Sequence, residues 1–195
     1  MDKLVIATGN THKLQEIRSL LHPLGIEIFL QSDFNVPEAA EPHPTFVENA
    51  LAKARQAARL TGLPALADDS GLCVPALGGL PGVISAIYAG EPRSDARNNE
   101  KLLTAMRDVT DRRAHYHSTL VLLRHADDPQ PVIAEGQWHG VILPAPRGKG
   151  GFGYDPLFLD PTLNQSVAEL SLDDKNRVSH RGQALRVLLE KLKSE

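Results

Sequence analysis

The stretch Leu63-Pro64-Ala65-Leu66-Ala67-Asp68-Asp69-Ser70-Gly71-Leu72 constrains this chain more than any other. Its first five residues are apolar and bounded by Gly62, which reads as a buried strand, and a buried strand ending in carboxylates points them into a crevice. Successive strand side chains face opposite ways. If strand geometry persists, only one of Asp68 and Asp69 faces a given site, and the other hydrogen-bonds behind it or faces solvent. Two readings of the motif stand. Asp-Ser-Gly is ordinary turn chemistry, in which an aspartate caps its own backbone, or the paired carboxylates do chemical work.

With 195 residues, 42% of them hydrophobic, the chain can bury one sizeable core, so a single domain spanning 1–195, with room for two lobes, is expected. A net charge of −3 argues against a dedicated nucleic-acid binder. A small anionic ligand needs only a local basic pocket. The lone Cys73 excludes a disulfide scaffold, fits a reducing compartment and reads as a small buried hydrophobe. No 18-residue apolar run occurs, and the first residues lead straight into a strand, so a soluble, cytoplasmic protein with no membrane partner is expected.

Lys3–Ala7 is a β-rich run, followed by the loop Thr8-Gly9-Asn10-Thr11-His12-Lys13 and an amphipathic segment with Leu14, Ile17, Leu20 and Leu21 at helical spacing. Strand, glycine loop and helix start can together hold an anion on free N–H groups. Thr8, Asn10 and Thr11 add neutral donors and Lys13 adds a point charge. The same residues also fit a plain strand-to-helix turn with Asn10 or Thr11 as N-cap. The Walker pattern is absent. After a strand over 27–31 comes a proline-bearing loop with Glu38 and Glu41. Thr45-Phe46-Val47-Glu48 then opens a helix as a capping box. On that helix Asn49 and Lys53 lie four apart and can aim an amide and an ammonium at one target, whereas the plainer reading gives Glu48 to capping and Lys53 to a solvated face.

Further on, glycine-rich Gly78–Val83 predicts a shaped loop. Residues 95–106 predict a helix with Arg97, Asn98 and Asn99 on its polar side, and Ala114–Arg124 alternates as a long strand. His115 and His117 share one face of it, but with no third ligand nearby zinc is not expected. Pro131–Ala134 and Glu135–Val141 complete a hairpin in which Trp138 packs. Gly148-Lys149-Gly150-Gly151-Phe152-Gly153 matches a dinucleotide fingerprint formally, but Pro156 interrupts where its helix would run. A glycine stretch presenting Phe152 and Tyr154 suits a flat base better. Asp173–Asn176 reads as a polar turn. Ser179-His180-Arg181-Gly182 opens a terminal helix with cations set against its dipole, which points to an acceptor that needs them.

Taken together, Thr8-Gly9-Asn10 with Lys13, Thr45-Phe46-x-Glu48-Asn49-Ala50 with Lys53, Ala67-Asp68-Asp69-Ser70-Gly71-Leu72, Phe152-Gly153-Tyr154-Asp155-Pro156 and Ser179-His180-Arg181-Gly182 run in order over nearly the whole chain. The set resembles the noncanonical purine nucleoside triphosphate (NTP) pyrophosphatases, also called inosine/xanthosine triphosphatases. The resemblance implies magnesium-dependent (Mg2+) cleavage of ITP, dITP and XTP to monophosphate and pyrophosphate. It also implies an elongated, two-lobed α/β fold with a twisted mixed sheet, a central cleft and a homodimer. By position, it gives Thr8, Gly9, Asn10, Thr11, His12, Lys13 and Lys53 to the phosphates. Asp69 becomes general base and metal ligand, with Glu41 and Glu48 as acidic partners around the metal, and Ser70 a substrate contact. Phe152, Gly153, Tyr154, Asp155, Lys175, His180 and Arg181 would hold the base. Where many relatives read an aromatic and then Ser-Ala-Arg-Tyr, this chain has Ile84-Ser85-Ala86-Ile87-Tyr88. A non-catalytic nucleotide-binding module, or a hydrolase of other modified NTPs, is the alternative.

Overall fold

Three strands buried on both faces, β1 (Lys3–Ala7), β3 (Ala65–Cys73) and β4 (Arg113–Leu123), send alternate side chains into two layers of core. Leu4, Ile6, Leu66, Leu120 and Leu122 pack on one side, and Val5, Ala7, Ala65, Ala67, Val121 and Leu123 on the other. The first side is covered by helices α1 (Thr11–Leu21) and α5 (His180–Lys193) through Ile17, Leu21, Leu185 and Leu188. The second is covered by α2 (Phe46–Thr61) through Ala50, Ala54, Ala57 and Ala58. Each large apolar side chain enclosed here stabilises the fold by roughly 1.5–3 kcal/mol.

This computed structural model describes residues 2–21 and 25–193. With β2 (Glu27–Leu30), β5 (Val132–Ile142), β6 (Phe158–Asp160) and β7 (Gln165–Ser166), the strands form a seven-stranded sheet ordered β2-β1-β3-β4-β5-β6-β7. It is mixed: β1 runs parallel to β2 and β3, whereas β6 is antiparallel to β5 and β7. The expected α/β class with a mixed sheet and flanking helices is therefore the observed one.

The chain forms two compact units. The first holds Met1–Asp69, Ser118–Gly136 and His180–Glu195, with the two-layered core just described. The second holds Ser70–His117 and Gln137–Ser179 around Leu72, Val74, Leu102, Met106, Tyr116, Trp138, Tyr154 and Phe158. In it the Tyr116 and Phe158 rings lie 4.7 Å apart, and the indole N–H of Trp138 donates to Asp160 Oδ2 at 2.8 Å, so Trp138 packs as expected.

Four readings change. The strand does not end at the carboxylates: β3 continues through Asp68, Asp69, Ser70 and Gly71, so the turn reading of Asp-Ser-Gly fails. Gly71 serves a close approach instead of a turn, since a Cβ there would meet the Gly82 carbonyl oxygen at 2.3 Å and Ser85 Oγ at 2.5 Å. Residues 173–176 lie in a helix, α4 (Leu172–Val178), because the Ser171 side chain caps it from the N–H of Asp174 at 3.1 Å. Asn98, on α3 (Asp95–Ala105), is buried instead of solvated, accepting from the N–H of Ala89 at 2.7 Å and donating to the carbonyls of Ser85 and Ala86. Finally, Val132–Ile142 is one unbroken strand. Among the described residues, no helix is long and apolar enough to cross a membrane.

Candidate active site

Strand alternation sends Asp69 to the α2 side of β3, with Ala67, and Asp68 to the α1/α5 side, with Leu66. Both carboxylates are buried, so each needs a cation. Lys53 of α2 supplies one: its Nζ is 2.7 Å from Asp69 Oδ1 and 2.7 Å from Glu41 Oε1. The Lys53 side chain is 10% exposed, so the solvated-face reading of that residue does not hold. Burial pushes the Asp69 carboxyl above its ordinary value, against the pull of Lys53 and Lys13. Against the downward push of burial, Asp69 and Glu41 hold the Lys53 ammonium above its own. Asp69 Oδ2 is buried with no hydrogen-bond partner.

Behind the strand, Asp68 Oδ2 takes Lys13 Nζ at 2.8 Å and the Arg181 guanidinium at 3.2 Å, while Oδ1 accepts from the Ser118 hydroxyl at 2.6 Å. Arg181 also pairs with Glu16 of α1. Against the upward push of burial, Arg181 and Lys13 hold Asp68 well below the usual carboxylate range. Burial lowers the Lys13 ammonium, opposed by Asp68. The loop before α1 is built as a cap: Asn10 Oδ1 accepts from the N–H groups of His12 and Lys13 at 3.0 and 3.2 Å, and the Asn10 N–H donates to Thr8 Oγ1. Gly9, Thr11 and His12 are exposed, and Gly9 lies under the Glu38 carboxylate, which leaves no room for a Cβ.

Asn49 and Glu48 serve the local chain. The Asn49 amide accepts from the His43 N–H at 3.0 Å and donates to the His43 carbonyl at 3.1 Å, pinning the loop that carries Glu41 instead of sharing a target with Lys53. Thr45 Oγ1 accepts from the Glu48 N–H at 3.4 Å, the Thr45 half of the expected capping box, while the Thr45 hydroxyl donates to the exposed Glu48 carboxylate.

The residues assigned to the base divide between the units. In the second unit, Asp155 gathers the Phe152 N–H at 3.0 Å, Lys175 Nζ at 2.8 Å and the Tyr116 hydroxyl at 3.1 Å. Lys175 Nζ also stands 4.3 Å from the centroid of the half-buried Phe152 ring. Gly153, at φ +61°, is clamped by α3: its N–H donates to Asp95 at 2.7 Å and its carbonyl accepts from Asn99 at 2.8 Å. Tyr154 is enclosed, with its hydroxyl on the Ser85 carbonyl at 2.8 Å, so its ring belongs to the core instead of a stacking face. Ser70 is half-buried on β3. His180 and Arg181 lie in the first unit, both buried. The Arg181 guanidinium pairs with Glu16 and Asp68.

Glu16 is the site residue that sequence reasoning missed. Lys13, Glu16, Ile17 and Leu20 fall at i, i+3, i+4 and i+7, and a carboxylate on that buried stripe demands a cation.

A mixed α/β sheet with buried carboxylate–lysine pairs on both sides of β3 defines a class, and the chain's relatives give the family. Residues 4–191 match the model of the Ham1 family, and the chain belongs to that family. It is 63% identical to the dITP/XTP pyrophosphatase of Aromatoleum aromaticum over 190 residues, covering 97% of this chain and 96% of that one. It is 62% identical to the enzyme of the same name from Nitrosomonas europaea, covering 98% and 95%. Among solved structures it resembles a HAM1 protein from Coxiella burnetii at TM-score 0.94 and 47% identity, covering 100% of both chains.

Proposed function

We propose that this Ham1-family chain, a pyrophosphate-releasing nucleoside triphosphate hydrolase, cleaves ITP, dITP and XTP to the monophosphate with magnesium bound at Asp69 and Glu41. The observation that carries the reading is Asp69: a buried carboxylate with one oxygen on Lys53, the other without a partner, and Glu41 on the same ammonium. Two carboxylates converging on one small cation suit magnesium, which takes one or two carboxylates together with phosphate oxygens. Glu48 fits less well, since its carboxylate is spent on Thr45. When bound, the metal supplies charge to the triphosphate oxygens and to an attacking water.

The chain's own residues divide the remaining work. Asp69, with its affinity for protons raised by burial, takes the proton of water directed at the α-phosphorus. Lys13 and Lys53 donate to phosphate oxygens and offset the charge growing on the departing pyrophosphate. At the start of α1 the Lys13 ammonium meets the phosphates, since Asn10 already takes the N–H groups of His12 and Lys13. Asp68, Glu16 and Arg181 touch no substrate in this scheme and hold Lys13 in place. In the second unit, Phe152 offers a ring to the base, and Lys175, a donor only, matches the O6 acceptor of hypoxanthine or xanthine where adenine presents an amino group. A homodimer in a reducing, cytoplasmic compartment completes the reading, with the single Cys73 supporting the latter.

The test is a nucleotide panel with pyrophosphate and orthophosphate detected separately. ITP, dITP and XTP should turn over with intact pyrophosphate as product and ATP should lag. Stepwise orthophosphate release, or equal rates on ATP, would defeat the proposal.

A further inference from the structure

Lys53 bridges the two carboxylates that the reading above assigns to magnesium. Its Nζ is 2.7 Å from a carboxylate oxygen of Asp69 and 2.7 Å from one of Glu41, and its side chain is 10% exposed against 5% for Asp69. The Asp69 contact is therefore a partly desolvated ion pair, anchored on a helix, and not a surface pairing that solvent dissolves, while Glu41, 44% exposed, holds the ammonium from the solvent side. We infer that Lys53 is a tethered counter-ion that keeps free divalent metal off Asp69 and Glu41 until a triphosphate draws the ammonium away. The inference rests on the metal reading above and adds an order of loading to it.

Charge decides the order. Without nucleotide, the two carboxylates already share the Lys53 ammonium, and Lys13 adds a further positive charge felt at Asp69. A free divalent ion would have to shed water, which magnesium does reluctantly, and displace a cation fixed beside the same oxygens. A tether of this kind acts as a competitor at an effective concentration on the order of millimolar. A triphosphate reverses the balance, because its oxygens give Lys53 new acceptors and bring ligands of their own for the metal. Asp69 Oδ2, already without a partner, is the acceptor left ready for that moment. The site then takes metal and nucleotide together and resists metal alone.

The test uses Mn2+ as probe, with binding read from the free-ion electron paramagnetic resonance signal of the full chain. The unaltered protein should bind little Mn2+ alone, and with inosine α,β-methylene triphosphate present should take up more Mn2+ than the analogue removes from the free-ion signal without protein. Lys53→Met should bind Mn2+ without nucleotide about tenfold or more tightly than the unaltered chain, and adding Asp69→Asn to that variant should abolish the gain. Lys53→Gln, which keeps a donor without the charge, carries the same comparison if Lys53→Met fails to fold by circular dichroism. Equal Mn2+ affinity with and without the lysine charge would overturn the inference while leaving the metal reading intact. No Mn2+ binding even with the nucleotide analogue would remove the metal reading and this inference with it.

Discussion

Asp68 and Asp69 are chain neighbours that draw their cations from opposite sides of β3: Lys13 Nζ stands 2.8 Å from Asp68 Oδ2, and Lys53 Nζ 2.7 Å from Asp69 Oδ1. In the proposed function, the strand's period of two separates a carboxylate that works from one that holds the fold. The two asparagine variants should therefore fail differently. Asp69→Asn keeps its shape but loses the proton acceptor, so kcat should fall by roughly two or more orders of magnitude with the melting temperature nearly unchanged. Near-normal turnover in that variant would assign the chemistry elsewhere.

Asp68→Asn should instead cost stability, and the cost should depend on pH with a definite sign. The folded carboxyl titrates well below its ordinary 3.8, so its stabilisation is full above the unfolded value and is lost as pH falls through the folded one. At pH 7, uncovering Arg181 and Lys13 should destabilise by about 3–5 kcal/mol. Urea midpoints of the two proteins should converge as the pH is lowered below 3.8. A constant gap would mean that the charge of Asp68 is not what matters.

For Asp69 the direction is opposite. In the metal- and nucleotide-free protein burial raises its affinity for protons, so the Asp69 carboxyl followed by NMR in that state should titrate above the ordinary 3.8 of an aspartate. Titration below that value would contradict the enclosed geometry described for it.

Arg181→Met strips both Glu16 and Asp68 of their guanidinium and should destabilise by about 3–5 kcal/mol, as breaking a buried pair does. Thermal unfolding of the nucleotide-free protein reads this directly. A variant as stable as the parent, changed only in its choice of base, would return Arg181 to the base-reading role that the sequence pattern first gave it.

Lys175→Met tests that role at the donor to which the proposed function assigns it. The substitution leaves Asp155 with the Phe152 N–H and the Tyr116 hydroxyl but no cation. The kcat/KM for ITP should drop by about 1.5–3 kcal/mol, the contribution of a charge-assisted hydrogen bond, with a smaller loss on ATP. Parallel losses on both nucleotides would show a purely structural lysine.

Much of this was legible in the chain. Lys3–Ala7, the Thr45 cap and the start of α5 at His180 follow from strand period, capping chemistry and helical spacing. What stayed hidden has one physical cause: polar residues were read without the long-range partners that enclose them. Asn98 answers to backbone nine to thirteen residues away, and Arg181 to Glu16 across 165 positions. Asp-Ser-Gly looked like a turn because Gly71 is locally permissive, whereas the glycine answers to Gly82 and Ser85 pressing on it. No local window contains such neighbours.

The inner face of α2 is made of Ala50, Ala54, Ala57 and Ala58, all essentially without solvent contact. Single methyl groups therefore act as the spacer between that helix and the sheet, and the reach of Lys53 to Asp69 is measured from them. A leucine at Ala54 would do more than overfill the core at about 1–3 kcal/mol. It would raise the helix like a shim under a bearing and carry the ammonium out of range of both carboxylates. In this protein the tolerance of the charged machinery is set by its smallest apolar side chains, so a change there would surface first as altered metal handling in a protein that still folds.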